Sequence, residues 1–206
     1  ISADIPFLAH ANGDAAADLF IQALAKSLEG KRSKDHRSVM IHAQTVRDDQ
    51  LDRMAEMNVI PSYFSAHTFY WGDWHRDSVL GLERGSRISP TASSLAKGIT
   101  FTVHNDAPIV PPDVMRLVWA TTNRLTRSGQ VLGPNERISV EEALKAVTVN
   151  AAYQYFEEEL KGTIEVGKQA DFVVLSANPL SVAKRNLLNI KVLQTIARGT
   201  TVFSLE

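Results

Sequence analysis

The sequence contains no cysteine, which excludes disulfide bonds, thiolate metal sites and a cysteine nucleophile. It also has no excess charge of one sign: its formal net charge is -1 at pH 7, so we expect neither nucleic acid nor a membrane as a partner. No window reaches the roughly 18 consecutive apolar residues of a membrane span. A chain that is 44% hydrophobic and 22% charged is instead typical of an ordinary soluble globular protein with one sizeable core.

The chain begins at Ile1 rather than at methionine, and an apolar run follows within five residues. No basic and apolar segment typical of a signal peptide precedes this run. These features predict a partial chain that lacks its own beginning. They leave the cellular compartment open, with a cytoplasmic location favoured over secretion.

Apolar runs of strand length alternate with segments of helical period, which is the pattern of successive β/α units and a parallel sheet. We predict strands over 5–9, 38–41, 59–65 and 99–103, and helices over 14–28, 47–57, 91–97, 113–124 and 139–156. A long loop is predicted between the third strand and its helix. After residue 158 the alternation of strand and helix patterns ends. Short β-rich runs over 163–166, 171–175, 192–196 and 200–203 then predict a small separate β-sheet.

Three of the four predicted strands end in a potential metal ligand, namely His10, His42 and Asp106. The intervals between them are 32 and 64 residues, one and two repeats of the same β/α period. Since the carboxyl ends of parallel strands meet on one side of a sheet or barrel, these side chains are expected to converge. Two imidazoles and a carboxylate suit a divalent metal, with zinc as the default choice. The ordinary alternative for each histidine is a hydrogen-bonded core or surface residue.

Other residues near the carboxyl ends of the predicted strands have two possible roles each. His67 follows the third strand and either binds a polar atom of the substrate or anchors a loop. Trp71 and Trp74 lie in the predicted loop and either recognise the substrate or pack over the barrel mouth or an oligomer contact. His104 shares one side of its strand with Asp106 and is expected to support that residue or to lie in the core.

Several segments resemble the amidohydrolase superfamily, in particular its YtcJ-like amidohydrolase-3 branch. His-Ala-Asn-Gly-Asp at 10–14, Ile-His-Ala-Gln at 41–44 and His-Asn-Asp-Ala-Pro at 104–108 resemble the fifth, sixth and eighth strand motifs of that superfamily. The segment 67–75 is similar to members often labelled exoenzyme regulatory proteins. The resemblance covers essentially the whole chain. It implies an α/β fold with the C-terminal half of a (β/α)8 TIM barrel, units five to eight, over 1–158, and part of a small β-sandwich domain over 159–206.

The resemblance also implies a function. His10 and His42 would be ligands of the more exposed metal, while Asp106 would be a ligand of the buried metal and the proton shuttle. It implies a metal-dependent hydrolase that cleaves a carbon-nitrogen, amide-type bond of a small-molecule substrate with a metal-activated water. The alternative is a non-catalytic regulatory or interaction protein that retains this scaffold.

The sequence lacks two features of the superfamily, the His-x-His pair of the first strand and the metal-bridging residue. We therefore expect this chain alone to bind zinc weakly, if at all, and to be inactive. Half of a barrel leaves unpaired strand edges, which recruit further strands. We accordingly expect a homo-oligomer or association with the missing N-terminal half.

Overall fold

The computed structural model describes residues 7–29 and 35–206. Four strands form a parallel sheet in chain order, and they are Leu8–Ala11 (β1), Val39–His42 (β2), Ile60–Tyr63 (β3) and Thr102–Val103 (β4). The predicted run of apolar strands is thus confirmed from β2 onward, although β4 is shorter than expected. Ile5 and Pro6 of the first predicted strand lie outside the described residues. Every residue of β3 is buried, because helices cover a parallel sheet on its faces.

Helices connect these strands and continue beyond them. The α-helices are Asp14–Ser27 (α1), Asp48–Glu56 (α2), His67–Trp74 (α3), Gly81–Gly85 (α4), Thr91–Ala96 (α5), Val114–Asn123 (α6), Val140–Val147 (α7) and Val149–Gln154 (α8). Short 3-10 helices occupy Pro134–Glu136 and Lys184–Asn189. Within the described ranges, none of the helices is both long enough and apolar enough to cross a bilayer.

The connection after β3 was predicted to be a long loop, and that prediction is wrong. Helix α3 is followed by a π-helical turn at His75–Val79 and then by α4. Aromatic, polar and charged residues alternate here without an apolar stripe, so the helical period is not visible in the sequence. Both tryptophans of this segment therefore lie on a helix.

The predicted helix over 139–156 is interrupted at Thr148, which separates α7 from α8. Thr148 adopts φ -127° and ψ -94°, and its hydroxyl donates to the carbonyl of Leu144 at 2.7 Å. A threonine that bonds back to the preceding turn in this way is a known cause of helix bending. Gly162, at φ +101°, then packs so closely on α8 that a Cβ there would lie 2.8 Å from the Cβ of Ala152.

The last part of the chain forms a three-stranded antiparallel sheet. Its strands, in spatial order, are Phe172–Leu175 (β5), Val192–Ala197 (β6) and Thr200–Ser204 (β7). The strand predicted over 163–166 is wrong, because this segment pairs with no strand of the described chain and its apolar side chains, Ile164 and Val166, are exposed. Alternation of apolar residues is not sufficient for a strand where no partner is available.

Arg37 ties the segment before β2 to the segment after α8. Its guanidinium donates to both carboxylate oxygens of Glu158, at 2.8 and 2.6 Å. The same group lies over the ring of Tyr153, 3.8 Å from the centroid, and over the ring of Phe156 at 4.1 Å. The guanidinium also holds the pKa of Glu158 below its usual range. Because only 9% of the Arg37 side chain is exposed, solvent screens this pair weakly.

We expect Arg37→Met to lower the free energy of unfolding by roughly 2–4 kcal/mol, because it leaves a half-buried carboxylate without its partner. Urea denaturation of the native and variant chains measures this change. Arg47→Met is the matched control: Arg47 also contacts two carboxylates, those of Asp18 and Asp49, but its side chain is 43% exposed. Its loss should cost about 0–1 kcal/mol. Equal losses for the two variants would contradict the structural role assigned to Arg37.

Candidate metal centre

The carboxyl ends of the parallel strands carry the polar side chains that the sequence singled out. His42 is the last residue of β2, and His10 lies one residue before the end of β1. The register pairs His10 with Ile41 and Ala11 with His42, so both imidazoles lie at the same edge of the sheet. His104 and Asp106 follow β4 directly. The predicted convergence of the strand ends is therefore present in the fold.

His42, His104 and Asp106 form the tightest group in this region. Their potential ligand atoms all lie within 4.8 Å of one another. His42 is buried, while His104 and Asp106 are half-buried. Two nitrogens and one carboxylate oxygen at such separations form a donor set that first-row divalent metals accept.

His10 lies beside this group but outside it. Its ring centroid is 4.6 Å from that of His42, in an edge-to-face arrangement, and its side chain is exposed at the edge of the sheet. The structure thus brings together all three predicted ligands, with His10 on the solvent side.

The backbone is strained at the same point. His42, Ala43 and Asp106 adopt positive φ angles of 73°, 46° and 57°, although none of them is glycine. Such conformations are costly for residues with a Cβ, and they occur most often at functional sites, where surrounding structure holds them in place. The strained residues include two of the three members of the tight group.

Burial keeps the imidazoles of this region neutral. Burial lowers the pKa of His104 to about 4, with the neighbouring His42 adding to the effect and Asp106 opposing it. Burial also lowers the pKa of His42, assisted by His10 and again opposed by Asp106. Neutral imidazole is the form in which histidine binds a metal, so this environment favours coordination over protonation at neutral pH.

His67, the first residue of α3, extends the histidine cluster away from the strand ends. Its ring centroid lies 5.9 Å from that of His42 and 5.8 Å from that of His75. Burial, together with these neighbours, lowers the pKa of His67 to about 3. His75 donates from Nδ1 to the carbonyl of Trp71 and accepts at Nε2 from the side-chain amide of Gln44, both at 3.0 Å. These two bonds fix a neutral tautomer of His75.

The two tryptophans differ in their positions. The ring of Trp71 lies 5.5 Å from that of His67 and forms part of the wall around the cluster. Trp74 is 56% exposed, and its ring contacts His75 rather than the tight group. Trp71 is therefore next to the candidate centre, whereas Trp74 lies on the outer side of α3.

Three buried nitrogens in this region have no hydrogen-bond partner among the described residues, namely His42 Nδ1, His67 Nδ1 and His104 Nε2. Buried polar atoms are normally paired, so such atoms need an explanation. An ion bound between His42, His104 and Asp106 would satisfy the two nitrogens that belong to that group. The residues present therefore fit a divalent metal.

The sequence did not predict that His104 belongs to the tight group with His42 and Asp106. His104 was expected to support Asp106 or to lie in the core, yet it belongs to the tight group. The available signal was its position two residues before Asp106, since residues i and i+2 of an extended segment face the same side. That spacing could not distinguish a ligand from a packing residue.

Comparisons with known proteins place this geometry in context. A family model described as "Amidohydrolase family" matches residues 2–203. The chain is 27% identical to an N-substituted formamide deformylase of Arthrobacter pascens, with 92% of this chain and 35% of that protein covered. It is 28% identical to the YtcJ protein of Bacillus subtilis (strain 168), with 94% and 36% covered. The chain therefore spans about a third of the length of the curated relatives it matches.

A solved structure is similar as well. The crystal structure of an uncharacterized metal-dependent hydrolase from Pyrococcus horikoshii OT3 superposes with a TM-score of 0.75 at 25% identity, covering 89% of this chain and 36% of that one.

The lowered pKa values predict how stability depends on pH. An unfolded histidine titrates near pH 6.5, whereas His67 and His104 do so near 3 and 4 in the folded chain. Between these values the unfolded state binds more protons, so stability must fall as the pH is lowered from about 6.5 towards 4. Each such histidine contributes a slope of up to about 1.4 kcal/mol per pH unit.

We expect His67→Gln to flatten this slope. Urea unfolding in the presence of a chelator, between pH 6.5 and 5, measures it where few carboxylates titrate. Identical slopes for the native chain and the variant would contradict the neutral, buried state assigned to His67.

Proposed function

The chain belongs to the amidohydrolase family, and on that premise we propose that the protein is a metal-dependent hydrolase of carbon-nitrogen, amide-type bonds in a small-molecule substrate. The observation that carries this proposal is the convergence of His42, His104 and Asp106 within 4.8 Å at the carboxyl ends of parallel strands. The name of the Arthrobacter relative, a deformylase of N-substituted formamides, supports the type of bond. The name of the Pyrococcus structure, a metal-dependent hydrolase, supports the metal.

We propose that the parallel sheet corresponds to units five to eight of a (β/α)8 barrel over 1–158, and that 159–206 belongs to a small β-sandwich domain. The parallel order of β1 to β4 and the antiparallel order of β5 to β7 support this division. In such barrels the active site lies at the carboxyl ends of the strands, where the histidine cluster lies here. The activity belongs to the whole protein.

The proposed metal ligands are His10, His42 and Asp106, with zinc as the favoured ion. A ring nitrogen of His104 lies within 4.8 Å of the ligand atoms of His42 and Asp106 and is a further candidate donor. When bound, a divalent ion supplies a Lewis acid that polarises the scissile carbonyl and lowers the pKa of water towards neutrality. The Asp106 carboxylate accepts the proton of the attacking water as the oxygen-carbon bond forms. It then delivers this proton to the departing nitrogen as the carbon-nitrogen bond breaks, which gives a carboxylic acid and an amine.

We propose that the side chains of His67, Trp71 and Trp74 contact the substrate. The buried Nδ1 of His67 lacks a partner among the described residues, so a polar atom of the substrate could pair with it. Trp71 contacts His67 and offers an apolar wall. Trp74, being more exposed, could contact only a longer substituent.

Removal of the metal tests the proposal. Dialysis of the active protein against a chelator should abolish the release of amine from an N-substituted formamide, and Zn2+ should restore it. Undiminished hydrolysis in the metal-free protein would contradict the metal dependence. A metal-loaded protein that hydrolyses no amide substrate would favour the non-catalytic, regulatory alternative.

Asp106→Asn should lower kcat by roughly 10²-fold or more, the scale expected for loss of a general base. The matched control is Asp113→Asn, seven residues further on: Asp113 caps α6 by accepting from the amide of Arg116, and asparagine caps a helix equally well. The control should therefore retain activity. Normal kcat for Asp106→Asn at unchanged metal content would remove Asp106 from the mechanism.

We also propose that the outer edge of β1 pairs with a further strand, supplied by a second copy or by another part of the protein. Beside this edge lies an open apolar groove of about 530 Å³, lined in part by Phe7, Leu19 and Phe20. Unpaired edges beside apolar surface favour association. Sedimentation at micromolar concentration should reveal a species heavier than 22.7 kDa, and a clean monomer would contradict this expectation.

A further inference from the structure

Gln44 connects the end of β2 to two later segments of the chain. It lies two residues beyond His42 and is 3% exposed. Its side-chain amide lies 3.0 Å from Nε2 of His75, the first residue of the π-helical turn after α3. Its backbone carbonyl accepts from the N–H of Ser89 at 2.8 Å. Nothing in the proposed mechanism uses these contacts.

The direction of the bond between Gln44 and His75 is fixed by a backbone group. Nδ1 of His75 lies 3.0 Å from the carbonyl of Trp71, and a carbonyl only accepts, so Nδ1 carries a proton. Burial lowers the pKa of His75, so its ring is neutral at pH 7 and Nε2 carries no proton. Gln44 must therefore donate to Nε2 from the NH2 group of its amide.

The backbone that carries Gln44 is held from both sides. His42 and Ala43, which precede it, adopt φ angles of 73° and 46°. Two such residues in succession persist only where the neighbouring structure holds them. On one side the N–H of Ala43 donates to the carbonyl of Ala11 at 3.1 Å, and on the other the carbonyl of Gln44 is bonded to Ser89.

Ser89 is itself anchored in the core. It is fully buried and adopts a φ angle of 50°. Its carbonyl accepts from the guanidinium of Arg124 at 3.1 Å, and the same guanidinium donates to the carbonyl of Ile88 at 2.7 Å. Arg124 is 1% exposed, so bulk water does not compete for these bonds. The amide of Gln44 therefore extends from a rigid support.

His75 in turn contacts the residues proposed to bind the substrate. Its ring centroid lies 5.8 Å from that of His67, and its Nδ1 is bonded to the carbonyl of Trp71. The rings of His67 and Trp71 lie 5.5 Å apart. Because both nitrogens of His75 are bonded, its ring is held in one orientation and restricts the positions of these two side chains. A π-helical turn, such as the one that begins at His75, is frequent at functional sites.

We propose that Gln44 is a positioning residue for substrate binding: by donating to His75, it holds His67 and Trp71 in the arrangement that contacts the substrate. This inference rests on the proposed function, because the substrate contacts of His67 and Trp71 belong to that proposal. Gln44 acts through His75, so its side chain should affect the binding of the substrate rather than the activation of water. The metal ligands should be unaffected, since the backbone bonds that hold His42 do not involve the side chain of Gln44.

Gln44→Met in the whole protein tests this role, because methionine is similar in size to glutamine but has no N–H group. We expect KM for an N-substituted formamide to rise by roughly 10-fold, which corresponds to about 1.4 kcal/mol, the scale of one lost buried hydrogen bond. The values of kcat and metal content should stay within about twofold of the native values, because binding is lost equally in the ground and transition states. Gln50→Met is the matched control: Gln50 is also buried but bonds Asp14 and Asp18, so its loss should leave KM unchanged.

Variants of His75 test the same bond from its other end, and they replace Gln44→Met if that variant does not fold. His75→Gln supplies a carboxamide oxygen that accepts from Gln44, so KM should stay near its native value. His75→Leu cannot accept and should raise KM as much as Gln44→Met does. The double variant Gln44→Met/His75→Leu should have the KM of either single variant, because both substitutions remove one shared bond.

NMR provides a readout that needs no activity. Long-range 1H–15N spectra of the whole protein with 15N-labelled histidine distinguish protonated from unprotonated ring nitrogens, and the spectra of His75→Gln and His67→Gln assign the two residues. We expect Nδ1 of His75 to be protonated and Nε2 to be unprotonated. Gln44→Met should shift the Nε2 signal of His75 and the signals of His67, whereas Gln50→Met should shift neither.

The possible failures are distinguishable. A metal-loaded native protein that hydrolyses no amide would contradict the proposed function, and the histidine spectra would still decide whether Gln44 holds His67. Unchanged signals of His67 in Gln44→Met, or an unchanged KM in both Gln44→Met and His75→Leu, would overturn the positioning role. A joint fall in kcat and metal content would overturn it as well, because Gln44 would then support the metal ligands instead of the substrate.

Discussion

Parallel pairing of β1 to β4 is the constraint on which the rest of the molecule depends. Because all four strands run in one direction, their carboxyl ends lie at one edge, and side chains separated by 32 or 64 residues become neighbours there. The pairing of Ala11 with His42 brings the imidazoles of β1 and β2 together. The contact of β3 with β4 likewise brings Ser62 within reach of His104. The site is thus a consequence of strand direction and register, with helices supplying burial.

Burial determines the protonation state of the histidines at this edge of the sheet. In water an imidazole near neutral pH is partly protonated and repels a cation. Here the pKa values of His42, His67 and His104 are lowered, chiefly by desolvation, so these side chains remain neutral. Three buried nitrogens without partners in the described chain are an unusual density of unsatisfied groups for so small a region. The proposed binding site for a metal and a polar substrate would explain both observations, because the bound groups would supply the missing partners.

Much of the fold and part of the site could be predicted from the sequence. The β/α period located the strands, and the recurrence of His10, His42 and Asp106 at that period predicted their convergence. The helical segment after β3 was missed because its aromatic residues form no stripe. The membership of His104 in the tight group was missed for a different reason: it depends on the packing of His104 beside His42, which is 62 residues away in the chain. Local patterns specify elements, whereas a group of potential ligands is set by contacts that only the packed structure contains.

The central claim is that the strand ends of this chain form a divalent metal site. Crystals of the whole protein that contains this chain, soaked in Zn2+ and measured on both sides of the zinc absorption edge, test it most directly. The account predicts an anomalous difference peak in contact with His42, His104 and Asp106. A strong peak elsewhere on the chain, with none at these three residues, would contradict it.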